Sequence, residues 1–254
     1  MSGGLWRRMR NSIIATLTFL TLVLPAFGEI SLGSAETFAV LGGSTVTNTG
    51  ITDIRGNLGV SAGTAVVGFP PGTMEVGSIH AGDSVAAQAQ VDLTSAYNAM
   101  AALPCNFKMT SQDLGGLTLT PGVYCFDSSA QLTETVVLDF QNGTSGFLFH
   151  IGSTLTTASS SKVTMKNCTA ACPIDWQVGS SATLGTSTHF GGNILAVASI
   201  TLNTDVYLCG RALAQTGAVK SVDRVSRVIP SRRRVPRTVL PTPETPMTIV
   251  VDPS

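Results

Sequence analysis

Short segments of alternating apolar and polar residues recur between residues 147 and 221, and each is broken by a pair of small residues. The segments read FLFHIGSTLTT, IDWQVGSSATLGT, ILAVASITLNT and RALAQTGAVKS, with a weaker earlier copy, VYCFDSSAQLTET. Period-two alternation is typical of β-strands with one buried face. The aligned apolar positions are predicted to point inward, and they are Phe149, Trp176 and Leu195; Ile151, Val178 and Val197; and Leu155, Leu184 and Leu202.

These repeats predict a solenoid in which each copy forms one coil and successive strands stack about 4.8 Å apart. The aligned leucines are separated by unequal intervals, which fits coils that carry occasional loops. The repeated T-L-x-T then places Leu in the core and Thr on the surface, where the threonines would form ladders. A β-sandwich whose strands favour Thr is the alternative.

One long segment has helical periodicity instead. Residues Gly82 to Pro104 carry apolar side chains at helical spacing, with Asp83 or Ser84 as the N-cap and Pro104 as the stop. We expect this helix to pack along one side of the solenoid through Val85, Ala86, Ala89, Leu93, Ala96, Tyr97, Met100 and Leu103. The preceding region, Gly33 to Met74, is predicted to be irregular β structure that joins or caps the stack.

The two ends of the chain differ from the repeats. Residues 1–28 have basic residues, an apolar run and a small-residue cleavage site, which predicts a secretory signal peptide; an uncleaved membrane anchor is the alternative. Residues 221–254 are rich in Pro and Arg and lack periodicity, so we predict a disordered tail, although a basic run can also bind nucleic acid. The predicted solenoid domain is therefore 29–220.

Without these ends the overall neutrality disappears. From Glu29 to Asp205 there are twelve acidic residues, against five basic residues before Val219. An acidic body argues against nucleic acid as a partner. At about 190 residues it can form a single domain with a substantial core.

Five cysteines lie in this body, which an oxidising extracellular location would allow to form disulfides. We predict Cys105 with Cys125 and Cys168 with Cys172, although sequence alone does not determine connectivity. Cys209 is left over, so at least one thiol is free or pairs between chains. A zinc half-site at the C-x-x-x-C is the alternative to the second disulfide. Two N-glycosylation sequons begin at Asn142 and Asn167.

The motifs of common catalytic chemistries are missing. His80, His150 and His189 lack metal-binding spacing, and we expect His150 and His189 to occupy ordinary outward positions. There is no G-x-S-x-G motif and no phosphate loop, and the carboxylates are scattered along the chain. We therefore expect no enzyme activity, no cofactor and no metal, while a carboxylate pair formed across coils remains open.

Several longer blocks resemble the secreted ice-binding proteins of the DUF3494 family. They are LGSAETFAVLGGSTVTNTG, GNLGVSAG, LGGLTLTPGVYCF, FLFHIGSTLTTAS, DWQVGSSATLGTSTHFGGNILAVASITLN and GRALAQTGAV. The resemblance implies a mainly β fold, namely a discontinuous right-handed β-helix of triangular section with one long α-helix packed alongside. It also implies adsorption to ice through one flat face. The sequence departs from the family after Gly217, which puts the last coil in doubt.

The resemblance and the Thr ladders together predict an extracellular, monomeric antifreeze protein that inhibits ice growth and recrystallisation. Its partner is the ice surface, with no nucleic acid and no membrane after signal removal. The predicted ice-binding residues are Thr154, Thr157, Thr183, Thr186, Thr201 and Thr204. The alternatives are a carbohydrate-binding or polysaccharide-active β-helix and a purely structural surface protein.

Overall fold

The chain winds through three parallel sheets, one on each side of a solenoid. The computed structural model describes residues 30–169, 172–222 and 225–229, the last range as backbone only. Strands are numbered along the chain. Sheet A contains, in spatial order, β7 (Ile79–Ala81), β4 (Asn57–Val60), β1 (Phe38–Gly42), β22 (Ala212–Ala214), β19 (Asn193–Ala196), β16 (Ile174–Val178), β13 (Phe147–Ile151), β10 (Gly122–Phe126) and β8 (Phe107–Lys108).

The other two sheets complete each coil. Sheet B contains, in spatial order, β11 (Ala130–Leu132), β14 (Leu155–Thr157), β17 (Ala182–Leu184), β20 (Ile200–Leu202), β23 (Val219–Ser221), β2 (Thr45–Asn48) and β5 (Ala65–Val67). Sheet C contains β6 (Thr73–Val76), β3 (Thr52–Arg55), β24 (Val225–Ile229), β21 (Tyr207–Cys209), β18 (His189–Gly191), β15 (Lys162–Lys166), β12 (Thr135–Asp139) and β9 (Thr118–Leu119). The predicted β-helix is confirmed.

The order of the coils is discontinuous. The N-terminal coils, β1–β3 and β4–β6, stack on the last coil, β22–β24, so that the two ends of the solenoid sequence meet inside the stack. The region from Gly33 to Met74 joins the stack, as predicted, but the expectation that its β structure is irregular is wrong. Its short alternating strands form coils that continue the stack.

The interior is filled by stacked side chains from successive coils. Tyr124, Phe149 and Trp176 form an aromatic ladder, with ring centroids 5.4 Å and 3.8 Å apart. Trp176 is paired with Ile194 and not with the predicted Leu195, and Val178 is paired with Ala196 and not with Val197. The prediction slipped by one residue because sheet A is apolar on both sides here, so alternation does not identify its inner face.

The slip has its cause in α1 (Ser84–Ala101), which covers the outer side of sheet A. Asp83 caps the helix by accepting a hydrogen bond from the Ala86 amide. Its buried stripe packs against outward apolar residues of the sheet, including Leu195 and Leu213. The stripe consists of Ala86, Ala89, Leu93, Ala96 and Met100, with Tyr97 and Leu103 partly buried. Val85, predicted to be part of it, is 45% exposed.

A short 3₁₀ helix, Gly33–Thr37, ties the start of the domain to α1. Asp92 accepts hydrogen bonds from the backbone amide and the hydroxyl of Ser34, at 2.8 Å and 2.6 Å. These bonds hold the pKa of the Asp92 carboxyl below its usual value. The contact therefore joins the start of the domain to the middle of α1.

The solenoid extends beyond the boundary predicted at residue 220. Strand β23 lies between β20 and β2 in sheet B, and β24 lies between β21 and β3 in sheet C. The tail prediction is therefore wrong for 225–229, because these residues complete the last coil. Both the predicted signal peptide and residues 230–254 lie outside the described residues.

Two disulfides cross-link the chain, one between the segment after α1 and strand β10, the other between β15 and β16. The structure pairs Cys105 with Cys125 and Cys168 with Cys172, as predicted, and leaves Cys209 as a thiol. The glycosylation candidates Asn142 and Asn167 are both exposed in turns. The Asn167 amide donates a 2.7 Å hydrogen bond to Asp139. Glycosylation at these two sites stays a prediction.

Candidate functional site

The outward side of sheet B is an open surface of small and hydroxyl-bearing side chains, which we call the hydroxyl face. It has two columns of residues running along the stack. The first column is Gln131, Thr156, Thr183, Thr201, Lys220, Thr47 and Val67. The second column, which the same register places two residues earlier in each strand, is Ser129, Thr154, Ser181, Ser199, Ala218, Thr45 and Ala65.

The strand pairing along this face is regular. The ladder from β11 to β5 has no register shift, whereas sheet C is interrupted at both partners of β3 and sheet A is interrupted between β1 and β4. Side chains at equivalent positions therefore repeat at the strand spacing of about 4.8 Å. Because bulges bend and twist a sheet, the uninterrupted ladder makes sheet B the most regular of the three faces.

The threonines of the first column have free hydroxyl groups. Within the described part of the chain, the hydroxyls of Thr156, Thr183, Thr201 and Thr47 make no hydrogen bond to another protein atom. All four side chains are at least partly exposed, so these hydroxyls can bond water. A β-branched side chain has few χ1 rotamers, so each methyl and hydroxyl is held in a fixed place. The column presents a lattice of donors, acceptors and methyl groups to water.

Hydroxyls of the second column are used differently. Thr154 donates a 2.8 Å hydrogen bond to the Ser129 hydroxyl. The hydroxyls of Ser181 and Ser199 accept hydrogen bonds from the backbone amides of Ser199 and Ala218 in the neighbouring coils. These bonds link successive coils at the corner between sheets A and B, and they stiffen the edge of the hydroxyl face.

The predicted site residues divide into three groups. Thr183 and Thr201 are paired on the first column, and Thr154 lies on the second. Thr186 and Thr204 lie in the turns between sheets B and C, outside both columns.

Thr157 is wrong as an outward residue, because its side chain points into the core and is 3% exposed. Its hydroxyl accepts a hydrogen bond from the Gly185 amide and pairs with the Thr188 hydroxyl, both at 2.9 Å.

The sequence reasoning missed Thr156 and Thr47. The first T-L-x-T copy was aligned on Leu155, yet Leu155 is paired with Ala182, and Thr157 is the residue level with Leu184. A constant interval would have revealed this: the inward residues on either side of the sheet A to sheet B corner are four positions apart in three coils. The pairs are Ile151 and Leu155, Val178 and Ala182, and Ala196 and Ile200.

The outward side of sheet C carries several ionisable groups. Lys162 is paired with His189, and His189 with Tyr207, whose ring lies 5.7 Å away. Lys166 approaches Asp139 to 3.8 Å. Hydrogen bonds from the Gln141 amide and the Asn167 side chain hold the pKa of Asp139 below its usual value.

Two further groups are shaped by burial. The Cys209 thiol, outward on β21, has its pKa raised by burial. His150, on the outer side of sheet A at the end of α1, has its pKa lowered by burial. Among the described residues, no group of three His, Cys, Asp or Glu side chains could hold a metal ion. In the same part of the chain, no helix has both the length and the apolarity to cross a membrane.

Comparison with known proteins agrees with this architecture. The model of the ice-binding-like family matches residues 40–225, which is most of the chain. The chain belongs to the ice-binding-like family. Membership of this family supports the expectation that the protein is not an enzyme.

Relatives within the ice-binding-like family span nearly the whole solenoid. An ice-binding protein of Nostoc sp. (strain HG1) is 52% identical over 222 residues, covering 86% of this chain and 81% of that protein. The crystal structure of an ice-binding protein from Antarctomyces psychrotrophicus has a TM-score of 0.75 at 34% identity, covering 80% of this chain and 98% of that one. The ice-binding protein domain of Shewanella frigidimarina has a TM-score of 0.73 at 28% identity, covering 81% of this chain and 98% of that one.

Proposed function

We propose that this protein is secreted and adsorbs to ice through the hydroxyl face, which inhibits ice growth and recrystallisation. Family membership supports ice as the partner. The observation that favours this face is the uninterrupted column that includes Thr156, Thr183 and Thr201, whose hydroxyls have no bonding partner in the described protein.

The alternatives on the same molecule are less suited. Sheet A is covered by α1, so its outward apolar residues are not available to a flat solid. Sheet C carries ammonium and carboxylate groups, which hold their own hydration shells and are costly to place against a surface that cannot solvate them. The hydroxyl face combines exposure, regularity and low charge.

Adsorption would work through many weak contacts made at once. Ordered water can bridge threonine hydroxyls at small entropic cost, and the methyl groups limit how those waters are arranged. Because the threonine side chains are stiff, little conformational entropy is lost when they are immobilised at the surface. The uninterrupted strand pairing of the solenoid holds these side chains at constant spacing. We expect the protein to act as a monomer.

The decisive experiment is ice affinity partitioning of the mature protein. The chain from Glu29 to Ser254 is frozen slowly from dilute solution, and the protein in the ice is compared with that in the remaining liquid. We expect enrichment in the ice, together with faceting of single crystals in the microscope. Exclusion of folded protein from the ice, with unshaped crystals, would show the proposal to be wrong.

A further inference from the structure

One coil breaks the pattern of the hydroxyl face. In β23 the outward residue is Lys220, and the second-column position just before this strand is Ala218, so this coil contributes neither a Thr nor a Ser to either column. Lys220 is exposed and sits directly between Thr201 on one side and Thr47 on the other. It is the one charged residue among the outward residues of the described face.

The position of Lys220 divides the first column into two parts. On one side lie Thr156, Thr183 and Thr201 in consecutive strands. On the other side lies Thr47, followed by Val67 on the last strand of the sheet. The discontinuous fold causes this arrangement, because the N-terminal coils are placed beyond the C-terminal one.

A lysine at this point is a poor contact for a crystalline surface. Its four-carbon stem rises above the level of the neighbouring threonines, and its ammonium group is strongly hydrated. Bringing it flat against ice requires removal of that hydration or restriction of the flexible stem, and both are unfavourable. Among the described residues Lys220 forms no ion pair that would hold it aside.

We infer that Lys220 sets the limit of the ice-binding face, confining contact to the strands that carry Thr156, Thr183 and Thr201 and leaving Thr47 idle. This inference rests on the proposed function of the hydroxyl face. The ice-binding surface is then smaller than sheet B, because Lys220 excludes the strands beyond it from contact. Removing the lysine should therefore enlarge the face.

The test compares four variants of the mature chain in the ice partitioning assay. Lys220→Thr should raise the affinity for ice by about threefold or more, because the rigid face gains contacts on both sides of the former lysine. If contact with ice stops at Lys220, Thr47→Tyr alone leaves the affinity unchanged, and a fall in affinity for this variant would overturn the inference. In the Lys220→Thr background, Thr47→Tyr should remove the gain. Lys162→Thr, on sheet C, is matched in chemistry and net charge and should leave affinity unchanged.

Each outcome separates the possibilities. Unchanged or lower affinity in Lys220→Thr would overturn the inference, and so would an equal gain in Lys162→Thr, which would show a net-charge effect. A gain that survives the added Thr47→Tyr would also overturn it. Thr183→Tyr, run in parallel, reports on the face itself. If it lowers the affinity for ice while Lys220→Thr changes nothing, the inference fails and the proposed function stands. Melting temperatures confirm that every variant is folded.

Discussion

The outward residues of sheet B are mostly threonine, serine and alanine, with Gln131, Val67 and a single charged residue, Lys220. Those of sheet C include Lys162, Lys166, Asp139, His189 and Tyr207. Both sheets are built from the same coils and share one interior. Their strands have the same spacing and direction. The difference therefore comes from the outward positions alone, where packing places little restriction on the residue.

The two sheets also differ in regularity. The ladder of sheet B is continuous from β11 to β5, while β3 introduces a register shift on each side of itself in sheet C. A surface that must match a crystal needs both low charge and constant spacing, and sheet B has both. Sheet C shows that the solenoid alone does not make a face suitable for ice.

Leu184→Ala should have the largest effect, and it should act on stability. Leu184 is fully buried between Thr157 and Leu202 in the stack. The cavity should destabilise the fold by about 2–5 kcal/mol. Chemical denaturation checks this value, and the fraction that remains folded should partition into ice like the parent. Loss of ice binding in fully folded Leu184→Ala would show that inward and outward residues are not independent.

Thr157→Val should have the next largest effect, because it tests a threonine of the repeat that the fold buries. The change leaves the Gly185 amide without its acceptor and removes the Thr188 contact. A buried unsatisfied donor costs about 1–3 kcal/mol. We expect lower stability by denaturation and normal ice affinity in the folded protein. A reduced affinity at unchanged stability would instead return Thr157 to the binding face.

Leu195 and Thr157 show how far the sequence predicts the structure. Alternation and small-residue corners predicted the β-helix, and helical spacing predicted α1, because both signals come from burial on one side only. The predicted inward position was wrong at Leu195, because α1 makes both sides of sheet A apolar. The predicted outward position was wrong at Thr157, because the sequence does not distinguish a buried threonine from an exposed one. The role of Lys220 was not predictable, since the discontinuous stacking of β2 on β23 brings distant residues together.

Thr183→Tyr should have a large effect on activity and a small effect on stability. Thr183 lies in the middle of the column, between Thr156 and Thr201. A protruding ring would lift its neighbours off the surface and lower ice affinity by about tenfold, equivalent to about 1.4 kcal/mol. An outward substitution should change stability by no more than about 0.5 kcal/mol.

The matched control for this variant is Thr164→Tyr, the same substitution at an exposed outward position of sheet C. It should leave ice affinity unchanged. If both variants lose activity equally, or if Thr183→Tyr partitions like the parent, the assignment of the site to sheet B is wrong.

The smallest effect concerns pH, which should change the stability of the protein but not its affinity for ice. Burial at the end of α1 lowers the pKa of His150 below its usual value of about 6.5, so the folded state favours the neutral ring. Below about pH 6.5 the imidazole of His150 binds a proton in the unfolded chain more readily than in the folded protein. Stability is therefore complete above about pH 6.5 and declines as the pH falls through the range between the unfolded and folded pKa values.

Ice affinity should not follow this decline while the protein is folded. The outward residues of the hydroxyl face include no histidine and no carboxylate. From about pH 7.5 to about pH 5 the melting temperature should fall while ice partitioning stays constant. His150→Gln should make the melting temperature less dependent on pH in this range without changing partitioning. A parallel fall of affinity and stability in folded protein would mean that an ionisable group outside the hydroxyl face contributes to the contact with ice.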